Sequence, residues 1–211
     1  MPRPRPTRIY HFTHIEHLST VAQHGLLADS LAKAAGYLTH EAGDPGIKEW
    51  RLRRVVEASP GGVVGDYVPF YFAPRSPMMF KLHRGGVPQF VDSTHDQAYL
   101  LTTVEHVIVA GGQVVLTDRN AAKNLAAFSA EPEEWDDLVD WPLMDAHIWK
   151  STSDDPERQE RRMAECLVHR SVAWNLIQRI VVRDEIRKSR VGAILPPGVA
   201  CRIDVRPDWY F

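Results

Sequence analysis

Four side chains of this sequence have the types and settings that chemistry needs: His11 and Thr13 two positions apart, Arg51 in a basic run, and Glu165 ahead of apolar Cys166, Leu167 and Val168. Residues two apart on an extended strand share a face, so His11 and Thr13 can meet one ligand. A carboxylate fixed at the mouth of a strand can hydrogen-bond a sugar hydroxyl and stabilise positive charge growing on the ring. The planar guanidinium of Arg51 suits phosphate. The segment from Tyr71 to Met79 mixes aromatics with Arg75 and two methionines, a set that meets nucleic acid through phosphate contacts and stacking. Each has a plainer reading as well: a core histidine beside a strand threonine, a solvated glutamate, and strand-core rings at Tyr71 and Phe72. The residues alone leave both open.

The elements that must hold these groups are short and mixed. Residues 8–12 alternate as a strand. Ile15, Leu18 and Val21 then recur at helical spacing over 14–24, and Gly25 can end that helix in a left-handed turn. Residues 28–62 are punctuated by glycine and proline and read as a long functional loop, except for a basic helix over 48–58. Residues 63–73 read as strand, with Pro69 pointing to an edge or irregular position. Residues 76–84 read as a helix with Ser76 as N-cap, Pro77 at its first position and Gly85 after its end. Further strands are expected at 106–110, 113–118, 165–169, 177–182 and 200–205, and acidic helical pieces at 131–141. Glu157 and Glu160 lie among Arg158, Arg161 and Arg162, which suggests ion pairs within one helix. With no βαβ periodicity and no internal repeat, the pattern predicts an α+β fold around a mainly antiparallel sheet.

Composition bounds the function. The 211 residues, 44% hydrophobic and 25% charged, suit one domain spanning 1–211. No apolar run approaches a membrane span, and residues 1–12 lack the apolar stretch and cleavage site of a secretory signal, so a cytoplasmic protein is expected. Cys166 and Cys201 form no CxxC, and no metal is implied. The formal charge of −2 gives no global pull toward nucleic acid, so local patches must supply it: Lys48, Arg51, Arg53 and Arg54, then Arg75, Lys81 and Arg84. Neither GxGxxG after a strand nor GxxxxGK[ST] occurs.

Taken together, residues 9–14 (IYHFTH), Arg51 in IKEWRLRR, 66–79 (DYVPFYFAPRSPMM), 116–120 (LTDRN), 163–169 (MAECLVH) and 207–211 (PDWYF) resemble the DarT family of bacterial toxins, in family order and across nearly the whole chain. The resemblance implies an ADP-ribosyltransferase-like fold that transfers ADP-ribose from NAD⁺ to a base of single-stranded DNA, with a DarG-type macrodomain antitoxin as partner. It implies NAD⁺ contacts at His11, Phe12, Thr13, Gly25, Leu26, Arg51 and Tyr71. Glu165 would be the catalytic glutamate holding the 2′-hydroxyl of the nicotinamide ribose. Arg51 is the second catalytic residue; a guanidinium is a poor general base, so its work is to orient the target base and stabilise its deprotonated form. Residues 28–54 would cover NAD⁺ and 119–164 would present DNA, with Arg75, Met78, Arg119 and Asn120 touching it. Two positions depart from the pattern: Cys166 follows the glutamate where phenylalanine is common, and Asn120 stands where some relatives have histidine. Thymine is the favoured target and guanine the alternative; a monomer is expected. Other classes compatible with the residues are an NAD-dependent RNA 2′-phosphotransferase, a protein-modifying transferase, and a module that only binds nucleotide or single-stranded DNA.

Overall fold

The computed structural model describes residues 2–40, 42–199 and 201–211. Among the described residues ten strands are formed: β1 (Arg8–His14), β2 (Leu26–Leu27), β3 (Tyr67–Tyr71), β4 (Gln97–Thr103), β5 (Val114–Thr117), β6 (Phe128–Ser129), β7 (Glu165–His169), β8 (Ser171–Val172), β9 (Arg179–Val182) and β10 (Arg202–Val205). Eight make one sheet in the order β10-β9-β4-β1-β3-β7-β5-β6, antiparallel throughout except for the parallel pair of β9 and β10; β2 and β8 pair separately. The helices are short: α1 (Leu18–His24), α2 (Asp29–Ala34), α3 (Pro45–Arg51), α4 (Pro77–His83), α5 (Val104–Val109), α6 (Trp135–Leu138), α7 (Trp141–Met144), α8 (Arg158–Arg161) and α9 (Glu185–Ile194). The α+β expectation with a mainly antiparallel sheet is met.

The join between β1 and β3 opens the fold. β1 is paired with β4 along all seven residues but meets β3 only at Tyr10 opposite Tyr71. Proline explains the break. A strand residue turns its N–H and C=O to the same side, and the Pro69 carbonyl faces β1, where it meets His11 Nδ1 at 2.8 Å. The side that lacks an N–H is therefore the side on which the ladder would have continued. Pro69 thus sits in an interior strand, not at a sheet edge, and the irregular position expected of it is the split itself.

Local signals account for most elements. Ser76 accepts the Met79 N–H at the start of α4, with Pro77 in its first turn and Gly85 at φ +68 beyond its end, as expected. The 14–24 helix begins as a 3-10 turn over Ile15–His17 before α1. The basic helix stops at Arg51, earlier than 58, because the chain turns so that Val55 can bridge Val63. The strand expected at 106–110 is instead helix α5: Thr103 caps it by accepting the His106 N–H, and Val104 and Val107 bury at helical spacing while Val109 is 86% exposed. The cap outweighs the β-propensity of the valines and isoleucine. The strand is the preceding segment, β4, buried along its whole length and so without alternation. Of the strand expected at 200–205, residue 200 lies outside the described residues, and 202–205 form β10.

The 207–211 segment packs as a plug on one face of the sheet. Trp209 meets Tyr10 and Tyr99 edge-on, the Tyr210 hydroxyl donates to the carbonyls of Gln97 and Val181, and Phe211 lies against Phe80 of α4. Buried Arg162 gives Nη1 hydrogen bonds to Leu143 and Met144 and an Nη2 bond to Pro74, which ties α7 to the loop that enters α4.

Candidate active site

A cleft of about 740 Å³ lies over the split, lined by β1, β3, α3, α4 and segments near residues 38–46 and 120–123. Register fixes what faces it. Tyr10, Tyr71 and Glu165 form a row across β1, β3 and β7 in which Tyr71 and Glu165 line the cleft while Tyr10 lies against Trp209, and Phe12 and His14 continue that face into the cleft along β1. His11 and Thr13 lie on the opposite face, as alternation predicts, yet they line the cleft too because β1 is uncovered there.

Glu165 opens β7 and is 1% exposed. Arg51, the last residue of α3, points inward and places Nη1 at 3.1 and 3.0 Å from the two carboxylate oxygens. Burial pushes the Glu165 carboxyl above its usual range, and Arg51 and the Ala121 N–H pull it back. For Arg51 burial works against the charge, but the carboxylates of Glu165 and Asp29 outweigh it and hold the guanidinium above its ordinary value. Arg51 is thus a fixed cation. Its Nη2 is buried with no hydrogen-bond partner among the described residues, a vacant donor that suits an anionic or carbonyl group in the cleft. Tyr71, stacked on Phe12 at 6.2 Å, is kept neutral by burial and by the Glu165 charge, which push its phenol up.

A residue that the sequence did not single out, His17, sets up Thr13. Its Nε2 accepts the backbone N–H groups of Thr39 and His40, so its proton sits on Nδ1 and is donated to Thr13 Oγ1 at 3.0 Å. The threonine hydroxyl proton is then free to be donated into the cleft. The same imidazole ties the 38–40 segment to β1. Burial lowers the His17 pKa to about 4, with neighbouring His14 and His40 acting in the same direction. The sign follows: between that value and the ordinary histidine pKa near 6.5 the unfolded chain holds more protons, so stability is full above the window and falls as pH drops through it. We expect up to about 3 kcal/mol from this group. Melting temperatures at pH 7.5 and 5 should show a steeper fall for the wild type than for His17→Gln.

The remaining expected residues divide. Met78 and Asn120 line the cleft. Asn120 is buried and spends Oδ1 on the Ala122 N–H, leaving its amide hydrogens as donors. Arg75 and Arg119 do not line it: Arg75 (φ +54) lays its guanidinium 4.3 Å from the Phe211 ring, and Arg119 pairs with Asp118, Glu157 and Glu160. The partners of Glu157 and Glu160 are therefore Arg119 and Lys123 on another segment, not the arginines of α8. Gly25 and Leu26 are also outside the lining. Gly25 has φ +81 and ψ 168, a conformation essentially closed to other residues, and a Cβ there would come 2.9 Å from the Val172 carbonyl. It positions β2 against β8. Gly25→Ala should cost on the order of 1–3 kcal/mol in a denaturant melt. Trp50, Lys123, Gln159 and Met163 join the lining without any signal in the sequence.

His14, His40 and Asp92 have possible ligand atoms within 4.8 Å of one another. The two imidazoles are stacked, with centroids 3.9 Å apart and planes 11° off parallel, so their in-plane lone pairs run side by side and do not converge on one ion. His40 Nδ1 is instead bonded to Asp92 at 3.0 Å.

Residues 10–211 match the family described as DarT, ssDNA thymidine ADP-ribosyltransferase. The chain belongs to the DarT family. A DNA ADP-ribosyl transferase of Thermus sp. (strain 2.9) is 35% identical over 219 residues, covering 99% of this chain and 98% of the relative. The structure of Thermus sp. 2.9 DarT in complex with ADP-ribosylated ssDNA superposes with a TM-score of 0.89 at 34% identity, each chain covered completely. Thermus sp. 2.9 DarT in complex with NAD⁺ gives 0.82 at 34% identity, with 99% of each chain covered. The fold is thus the DarT form of the ADP-ribosyltransferase fold.

Proposed function

We propose that this DarT-family enzyme, an NAD⁺-dependent DNA ADP-ribosyltransferase, modifies thymine in single-stranded DNA and acts as a toxin held in check by a DarG-type macrodomain partner. The observation that carries the reading is the buried Arg51–Glu165 pair on the wall of the cleft. A buried ion pair is poor value for stability alone, and here it leaves one donor of Arg51 open.

The cleft suits NAD⁺ by its size, its free threonine hydroxyl and the vacant donor of Arg51. NAD⁺ supplies an ADP-ribosyl group with nicotinamide as the leaving group. Glu165 accepts a hydrogen bond from the 2′-hydroxyl of the ribose next to nicotinamide and stabilises positive charge on that ring. Thr13 and His11 hold the dinucleotide. The ring nitrogen of the base gives up its proton to solvent as it bonds to the ribose, and Arg51 orients the base and stabilises the deprotonated nitrogen by charge, since a guanidinium held above its ordinary pKa does not take up the proton. Segment 28–54 covers the dinucleotide and 119–164 presents the strand, with Asn120 donating to a base carbonyl and Met78 against its ring. Arg75 and Arg119 contact the strand outside the cleft.

The test is a panel of single-stranded oligonucleotides, each holding one thymine or one guanine in an otherwise fixed context, incubated with the protein and NAD⁺ and read by mass. An adduct on thymine strands alone is expected; an adduct on guanine strands alone would assign the base otherwise and make Asn120 the residue to exchange for histidine. Expression should arrest growth, relieved by Glu165→Ala. Unimpaired growth with abundant folded wild type would remove the toxin role.

A further inference from the structure

We propose that Gln97 reads the adenine edge of the dinucleotide, an assignment that rests on the NAD⁺ reading above. Gln97 is the first residue of β4 and 1% exposed, and it lines the cleft. Both atoms of its amide, Oε1 and Nε2, are buried with no hydrogen-bond partner among the described residues. Buried side-chain polar atoms are rarely left unmatched, and a glutamine that lines the cleft with donor and acceptor both open offers a ligand a matched pair of contacts. Its backbone is clamped, because the carbonyl takes the Tyr210 hydroxyl at 2.8 Å and the residue stands opposite His14 in the β1–β4 ladder. The position is therefore fixed.

Where Gln97 lies tells which part of the dinucleotide it meets. It shares the sheet face of Glu165, Tyr71, Phe12 and His14. From the Glu165 row it is three strands across, roughly 14 Å, and four residues along β1, roughly 13 Å. It thus sits about 20 Å from the reacting end, at the far end of the same cleft, where a dinucleotide stretched from Glu165 places its other base. The rings beside it are His14 and the His40 stacked on it, flat partners for a purine. A glutamine amide matches adenine in particular: the oxygen accepts from the 6-amino group while the nitrogen donates to an adjacent ring nitrogen. Hypoxanthine, with an oxygen at position 6, reverses the first of these contacts.

Steady-state transfer to an oligonucleotide with NAD⁺ and with deamino-NAD⁺, whose base is hypoxanthine, tests the assignment. The wild type should show a KM for NAD⁺ lower by roughly 5- to 100-fold, the discrimination a bidentate amide–base pair gives, with similar kcat. Gln97→Leu should raise the KM for NAD⁺ to that for deamino-NAD⁺ and leave kcat within about twofold. Equal KM values in the wild type would overturn the assignment with no variant needed, as would a preference that survives in a folded Gln97→Leu. If the leucine variant does not fold, Gln97→Met serves: it keeps the length of the side chain, loses both amide atoms, and should show equal KM values for the two dinucleotides; a preference that survives in it would overturn the assignment. A wild type that neither binds nor uses either dinucleotide would instead overturn the NAD⁺ reading beneath it.

Discussion

Glu165→Gln is expected to lower ADP-ribosyl transfer by on the order of 10³-fold while NAD⁺ affinity changes only a few-fold. Glutamine keeps the shape and an acceptor oxygen for the ribose hydroxyl, so binding survives. It loses the negative charge that faces the growing positive charge on the ribose, and in a site 1% exposed that charge is little screened. A rate loss with binding kept is the mark of an interaction made chiefly in the transition state. The variant also strands the Arg51 guanidinium beside a neutral amide. Breaking a buried pair costs about 3–5 kcal/mol, and glutamine should recover part of that through its remaining acceptor, so a lower melting temperature with a cooperative transition is expected. Single-turnover rates and NAD⁺ titration on the same preparation separate the effects; transfer within tenfold of wild type would mean that another group carries the charge.

The second large effect is at Arg51. Arg51→Ala should reduce transfer by on the order of 10²–10³-fold and also change its pH profile. Burial already pushes the Glu165 carboxyl up, and Arg51 is the main force pulling it back. Without the guanidinium the carboxyl moves further up. Because the ionised form is the active one, the acid limb of the pH–rate curve should shift to higher pH, and raising pH should recover part of the lost activity. Arg51→Lys should fall between: an ammonium restores charge, but its shorter reach and different donor geometry do not reproduce one nitrogen shared by both oxygens beside a second open donor. A profile unmoved in Arg51→Ala would show that the pair is not coupled in the working enzyme.

Legibility in the sequence followed the range of the signal. Caps and turn residues act locally, so helix α4 with Ser76, Pro77 and Gly85 was readable. So was the stop at Gly25, although its contact with Val172 makes it part of the β2–β8 joint and not of the cleft lining. β4 was not readable, because a strand buried on both faces loses the alternation that marks one, while the β-branched run after it was drawn into helix α5 by the Thr103 cap. Pro69 announced an irregularity, but only the pairing of β1 with β3 and of β3 with β7 shows that the irregularity is the split that makes room for a ligand.

The site divided in the same way. His11, Thr13, Arg51 and Glu165 stand out by residue type and by likeness to DarT, and the fold brings all four to one cleft. What supports them was hidden. His17 serves Thr13 through a tautomer set by two backbone N–H groups of another segment, and Gln97 becomes conspicuous only because nothing among the described residues bonds its amide. Arg75 and Arg119 stand out by likeness to DarT as DNA contacts, and the fold sets both outside the cleft lining, one against the Phe211 ring and the other among three carboxylates.

The most direct test of the central claim is to incubate the purified chain with NAD⁺ and one thymine-containing single-stranded oligonucleotide and to weigh the strand afterwards, with Glu165→Gln and the annealed duplex alongside. A strand heavier by one ADP-ribose, matched by nicotinamide release, lost in the variant and weak on duplex, is the result this account predicts. An unmodified strand, with a folded protein that binds NAD⁺ and labels RNA or protein instead, would contradict it.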